Sequence, residues 1–177
     1  DVVLLLAGPE PAAVQDDPEA GEVLGELCSI YQGLSPELQR DIALISLPMS
    51  DLRENALMVN ALQTAASVVV QNSVQEGFGL TATEPMWKGT PVLVSSACGL
   101  RQQVKPGVHG EMIRDACDPG EIAAALDRLL RDPDRRATMA RNAQRRVRQE
   151  FLVFTQVRRE IEVLARALED SQTRTTA

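Results

Sequence analysis

The chain has 177 residues, 44% of them hydrophobic and 24% charged, which is enough for one globular domain with a packed core. Its formal net charge is -7. This acidic balance argues against nucleic acid and anionic membrane surfaces as partners, because both require a basic face. No apolar run reaches the roughly 18 residues that a membrane-spanning helix needs.

The three cysteines, Cys28, Cys98 and Cys117, have neither C-x-x-C spacing nor a cluster of histidines nearby. This pattern is typical of reduced thiols in a cytoplasmic protein, and it does not predict a metal site. We expect no cofactor either. His109 is the only histidine. Its position in a glycine-containing turn predicts an exposed turn residue, with a catalytic base as the alternative.

Short apolar runs bounded by turn residues predict strands along the chain. These runs are Val2–Ala7, Ile42–Leu47, Val68–Val70, Pro91–Ser95 and Glu111–Arg114. Apolar residues at helical spacing, with capping residues or prolines at their ends, predict the helices. These are Glu19–Gly33, a helix capped by Asp51 that runs to Ala66, a single turn at Leu100–Val104, a helix from Asp118 to Leu130, Asp134–Gln149 and Phe151–Leu168. An exposed loop is expected at Glu10–Pro18.

Alternating strands and helices indicate βαβ units and therefore an α/β fold. We expect a Rossmann-like, mostly parallel sheet with helices on both faces, and Val2–Ala7 as one of its buried strands. The predicted domain covers residues 1–170, and residues 171–177 are expected to form a disordered tail. In open sheets of this kind, ligands bind at the carboxyl ends of the strands.

The segment Gln71–Gly89 begins at such a strand end. Gly77 and Gly79 flank Phe78, so the backbone can turn sharply and approach a ligand closely. Helix-forming sequence follows, and free N–H groups at a helix start favour an anion such as a diphosphate. Two carboxylates, Glu76 and Glu84, lie on either side of the glycines. Carboxylates repel phosphate but accept hydrogen bonds from sugar hydroxyls. Spacing alone leaves ligand binding and a simple tight turn equally open.

The sequence E-G-F-G-L-T-A-T-E at Glu76–Glu84 resembles the E-x7-E signature of retaining, nucleotide-sugar-dependent glycosyltransferases with the GT-B fold. The later phrase M-W-K-G-T-P-V and V-N-A-L-Q at Val59–Gln63 are similar to one branch of that family, the trehalose synthase and trehalose phosphorylase-like proteins. The resemblance extends from about Asp1 to about Leu168. It implies that the domain is the C-terminal, donor-binding half of a GT-B fold.

The resemblance implies a role for each carboxylate. Glu76 would contact hydroxyls of the donor sugar near the reacting carbon and is therefore the candidate catalytic residue. Glu84 would accept hydrogen bonds from the ribose hydroxyls of the nucleotide. The alternatives are a solvated loop carboxylate at Glu76 and a helix-start residue favoured by the macrodipole at Glu84.

The resemblance also implies that main-chain N–H groups hold the donor's sugar and diphosphate. The residues that would supply them are Gly77, Phe78, Gly79, Leu80 and Thr81. Pro85 departs from the family pattern: local rules start this helix near Thr83, whereas the family starts it near Gly79 and would place the proline inside. Cys98–Arg101 also departs, since relatives have Gly-Gly-Ile-Pro there.

The implied function is transfer of glucose from NDP-glucose, with glucose as the expected acceptor and trehalose as the product. The implied partners are the nucleotide-sugar and a sugar acceptor. The chain opens on a strand without an initiator Met, so we expect a fragment that lacks the N-terminal acceptor domain and the first βα unit. Relatives carry in that unit an Arg and a Lys that neutralise the diphosphate. Without them, we expect the fragment alone to be inactive.

Two other functions and one interpretation without a specific function remain open at this point. The first function is a GT-B glycosyltransferase or phosphorylase with a different acceptor, and the second is a non-catalytic nucleotide-sugar-binding domain. In the interpretation without a specific function, the chain is a fragment that self-associates through an open sheet edge. The sequence leaves the nucleotide base, the acceptor and homo-oligomerisation undetermined.

Overall fold

The structure, a computed structural model, describes residues 2–10 and 20–175. The chain divides into two compact units, Asp1–Leu62 and Gln63–Ala177, and the single domain over residues 1–170 stays a prediction. The strands are β1 (Leu4–Pro9), β2 (Ile42–Leu47), β3 (Val69–Gln71), β4 (Val92–Ser95) and β5 (Gly110–Ile113). The helices are α1 (Ala20–Gln32), α2 (Pro36–Arg40), α3 (Leu52–Ala65), α4 (Leu80–Lys88), α5 (Cys98–Gln103), α6 (Pro119–Arg131), α7 (Pro133–Glu150) and α8 (Val153–Thr175). Apart from Glu10, the loop expected at residues 10–18 lies outside the described residues.

In the first unit, β1 and β2 pair in parallel, from Leu4 opposite Ile42 onward. The predicted cap of α3 is confirmed, because Asp51 Oδ1 accepts hydrogen bonds from the N–H groups of Arg53 and Glu54 at 2.9 and 3.1 Å. Such a cap contributes about 1 kcal/mol. The short helix α2 was not predicted, since its capping serine and first-turn proline are also typical of a turn.

The prediction that the first strand is buried was wrong. Leu4, Leu5 and Leu6 are 44%, 45% and 38% exposed. An unbroken apolar run predicts a strand covered on both faces, but the described residues leave much of β1 uncovered.

In the second unit, β3, β4 and β5 form a parallel sheet with β4 at its centre. Because side chains alternate along a strand, β4 contributes to two separate apolar clusters. Val92 and Val94 pack with side chains of α4 and α7, whereas Leu93 packs with those of β5 and α6. Each fully buried side chain of this size contributes about 1.5–3 kcal/mol. The predicted parallel α/β architecture with helices on both sheet faces is confirmed here.

Helix α4 begins at Leu80, not near Thr83, so the start that local rules give was wrong and the family pattern was right. Gly79 precedes it with φ +86°, a left-handed conformation that glycine adopts readily. Pro85 therefore lies inside the helix, where it is buried. The bend expected at this proline stays a prediction.

His109 is buried, so the expectation of an exposed turn residue was wrong. The imidazole Nδ1 of His109 accepts a hydrogen bond from the backbone N–H of Lys105 at 3.2 Å. The backbone N–H of His109 donates to the Lys105 carbonyl. Burial, assisted by the charge of Arg146, lowers the pKa of His109 below its usual value. These contacts give the histidine a structural role in the turn before β5.

The last helix, α8, is assigned through Thr175, past Ser171 where the tail was expected to begin. Residues 176–177 lie outside the described residues, and disorder of the tail stays a prediction. No helix in the described part of the chain combines the length and apolarity needed to cross a membrane.

Candidate functional site

An open cavity of about 640 Å³ lies where β3 and β4 end. Its lining comes from the segments that follow these two parallel strands and from the start of α5, as expected for the carboxyl edge of a parallel sheet. The two segments are tied together, because the Ser95 hydroxyl donates a hydrogen bond to the Ser73 carbonyl. The lining residues are Val74, Gln75, Glu76, Gly77, Ser96, Ala97, Cys98 and Arg101.

Two of the sequence-predicted site residues, Glu76 and Gly77, line this cavity. The other predicted backbone donors follow them directly into the start of α4. No acceptor in the described part of the chain takes a hydrogen bond from the backbone N–H groups of residues 77–81. The left-handed cap at Gly79 has no side-chain hydrogen bond either. This run of uncommitted donors at a helix start is a suitable environment for an anion.

Helix α5 fixes the backbone of this glycine corner, which we define as residues 76–79. The N–H of Gly99 donates to the Glu76 carbonyl at 3.0 Å, and the side-chain amide of Gln103 donates to the Phe78 carbonyl. A Cβ at Gly99 would lie 2.4 Å from the Gly77 carbonyl oxygen, so only glycine permits this approach. The corner and α5 therefore touch backbone to backbone.

Glu84 lies on α4 and does not line the cavity. Its Oε2 accepts a hydrogen bond from Gln63 Nε2 at 3.3 Å. The side-chain oxygen of the same glutamine accepts a hydrogen bond from Lys88 Nζ. Its main-chain carbonyl accepts one from the Thr90 hydroxyl at 2.7 Å. Gln63, the last residue of the V-N-A-L-Q phrase, thus contacts the second half of α4 and the residues just after it.

The charged residues that line the cavity are Glu76 and Arg101. The Arg101 side chain is exposed and makes no hydrogen bond or ion pair with another described residue, so it can pair with an anionic group of a ligand. Sequence reasoning assigned no site role to Arg101, although it identified Cys98–Arg101 as a departure from the family. The signal that would have found it is topological, since segments after neighbouring parallel strands meet at one edge.

Among the described residues, no three His, Cys, Asp or Glu side chains are grouped as ligands of a metal ion. The absence of a metal or cofactor requirement stays a prediction. The roles assigned to Glu76, Glu84 and the donors at 77–81 likewise stay predictions.

Comparison with known proteins identifies the family. The sequence profile of the glycosyl transferases group 1 matches residues 54–146, more than half of the chain. A trehalose synthase from Rubrobacter xylanophilus is 34% identical over 168 residues, which cover 95% of this chain and 37% of that protein. The chain therefore spans well under half the length of this relative.

Solved structures give the same result. Sucrose-phosphate synthase from Thermosynechococcus elongatus superposes with a TM-score of 0.71 at 27% identity, covering 95% of this chain and 39% of that one. Anabaena HepE in complex with UDP and glucose superposes with a TM-score of 0.72 at 25% identity, covering 93% of this chain and 40% of that one. The chain belongs to the group 1 glycosyl transferases, which have the GT-B fold.

Proposed function

We propose that this chain is the donor-binding part of a retaining glycosyltransferase that transfers glucose from an NDP-glucose to glucose, forming trehalose. The observation that carries the proposal is the run of uncommitted N–H groups at residues 77–81, beside a cavity that Glu76 lines. The likeness to a trehalose synthase and to a protein solved with UDP and glucose supports the substrate class.

In the proposed complex, the donor's diphosphate accepts hydrogen bonds from the N–H groups of residues 77–81, and Glu76 accepts from hydroxyls of the glucose. During transfer, the anomeric carbon exchanges its bond to the diphosphate for a bond to the acceptor oxygen. The diphosphate leaves with the bonding electrons, and its departing oxygen takes up the proton that the acceptor hydroxyl releases. Fixed donors aimed at the leaving group stabilise the negative charge that develops there, and such terms are usually large.

Glu84 has a different part in the proposal, as an acceptor for the ribose hydroxyls of the nucleotide. Its exposed side chain on α4 and its hydrogen bond to Gln63 support this assignment, because the bond orients the carboxylate without neutralising it. In this first candidate function, the site for the glucose acceptor is assigned to the part of the full-length protein outside this chain.

A second candidate function differs in the acceptor. Arg101 places a cation in the same cavity as Glu76, and the structural relatives include a sucrose-phosphate synthase. Both observations favour a phosphorylated sugar as the alternative acceptor, because a guanidinium group binds a phosphate group in a bidentate manner.

Calorimetric titration of the full-length protein with UDP-, ADP- and GDP-glucose, followed by transfer assays with glucose and glucose phosphate, tests these candidates. With the preferred pair, Glu76→Ala should lower turnover by about 100-fold or more while donor affinity changes less, since the carboxylate acts on the reacting sugar. The matched control is Glu37→Gln on α2, which should leave both unchanged. A wild-type protein that binds a nucleotide-sugar but transfers no sugar would instead indicate a non-catalytic binding domain.

A further inference from the structure

Gln103 is a buried glutamine whose side-chain amide donates a hydrogen bond but accepts none from any residue that the structure describes. It lies on α5 with no exposed surface, and its Nε2 donates to the carbonyl of Phe78 in the glycine corner. Its Oε1 has no hydrogen-bond partner among the described residues. An unpaired buried acceptor lowers stability, so a polar residue at this position calls for an explanation other than stability.

The corner is held by few contacts besides the Gln103 hydrogen bond. Gly77 has open space where a Cβ would stand, and the side chain of Phe78 is 48% exposed. Glycine also has more backbone freedom to lose than any other residue. Most of the contacts that restrain the corner come from α5: the N–H of Gly99, the amide of Gln103 and the side chain of Leu100, which lies 2.6 Å from where a Cβ on Gly79 would be. The Phe78 ring adds an edge-to-face contact with the ring of Phe151, with the centroids 6.0 Å apart.

We propose that Gln103 is a positioning residue for sugar transfer, because its amide holds the Phe78 peptide and thereby keeps the donor-binding N–H groups in one arrangement. This inference rests on the function proposed above. Preorganised donors cost no reorganisation when a charged ligand arrives, whereas a loose glycine loop must be ordered first. The role is indirect, since the buried amide of Gln103 acts through the main chain of the corner.

A purely structural role makes the opposite prediction. If Gln103 only fills space, an apolar residue of similar size would keep the packing and remove the unpaired oxygen. Thermal stability would then be equal or higher, and donor binding would not change. If Gln103 positions the corner, the same variant would keep its melting temperature and lose donor affinity.

The experiment compares Gln103→Leu and Gln103→Met with wild type in the full-length protein, and the matched control is Gln102→Leu, at the exposed neighbouring position of α5. Three quantities are measured: the affinity for UDP-glucose, the melting temperature and the backbone ¹⁵N order parameters of residues 77–81 without ligand. We expect both Gln103 variants to bind about tenfold more weakly, equivalent to about 1.4 kcal/mol. Order parameters should fall from about 0.85 towards 0.6.

Weaker binding and a looser corner at an unchanged melting temperature, with the control like wild type, would support the proposal. Unchanged affinity and order in a folded Gln103 variant would overturn it, as would the failure of both Gln103 variants to fold. If the wild type binds no nucleotide-sugar, the proposed function fails. The order parameters still decide whether Gln103 restrains the corner, so the two failures are distinguishable.

Discussion

Replacing Gly99 by alanine tests the contact between α5 and the glycine corner. The added Cβ would stand 2.4 Å from the carbonyl oxygen of Gly77, 2.6 Å from its carbonyl carbon and 2.8 Å from the N of Phe78. All three are backbone atoms, so no side chain can rotate out of the way. Restoring ordinary contact requires the corner to retreat by about 1 Å, and a displacement of that size can lower turnover by about 100-fold.

Steady-state kinetics of the full-length Gly99→Ala variant with its preferred nucleotide-sugar would measure this loss. The overpacking should also lower the free energy of unfolding by about 1–3 kcal/mol, observable by denaturant titration. Gly25→Ala is the matched control, because a Cβ there meets nothing within 4 Å and alanine is favoured in a helix. A Gly99→Ala protein with turnover within about threefold of wild type would refute the reasoning, since threefold is far below the 100-fold expected from the displacement.

Two further predictions concern charge. Arg101→Ala should weaken binding of a nucleoside diphosphate by about tenfold, because the cavity loses its cation, and Arg101→Lys should retain part of the affinity. A loss restricted to a phosphorylated sugar acceptor would point to the second candidate function, and no loss with either ligand would contradict the assignment. Burial lowers the pKa of His109 in the folded state below its usual value of 6.5. Between the folded-state and the usual pKa, the unfolded state binds the proton more readily than the folded state does. The free energy of unfolding therefore falls as the pH decreases from 6.5 to the folded-state pKa. Thermal melts between about pH 7.5 and 5 should show this additional loss of stability in wild type but not in His109→Asn. The amide oxygen of the asparagine can still accept the hydrogen bond from the Lys105 N–H. Parallel melting curves for the two proteins would show that His109 does not contribute to the pH dependence of stability.

The sequence was sufficient for those parts of the fold that local patterns determine. The bounds of β2 agree with the apolar run Ile42–Leu47, and the cap at Asp51 forms as its position indicated. Helix α4 was harder, because Pro85 prefers a first turn while burial of its neighbours favours an earlier start. Ala82, which only the earlier start places in the helix, packs in the core, and this packing outweighs the local preference.

The candidate site was predictable only on one of its two sides. Glu76 and Gly77 belong to a motif that can be recognised along the chain. Arg101 lines the same cavity, and Gln103 hydrogen-bonds to Phe78 about 25 residues away in the sequence. Local sequence patterns do not predict contacts between segments so far apart. The exposure of Leu4 and its neighbours was also missed, since an apolar run specifies a tendency to be buried but not the layer that would cover it.

The cavity lining has a consequence for how substrate preference can change. Its walls come from short segments at the edge of the sheet, whereas the rigid centre of the unit, β4, contributes no lining residue. A few substitutions at outward positions such as Val74, Gln75 and Arg101 can therefore alter selectivity without disturbing the scaffold. A small combinatorial library at these positions in the full-length protein would test whether this lining sets the preference among the nucleotide-sugars of the proposed function.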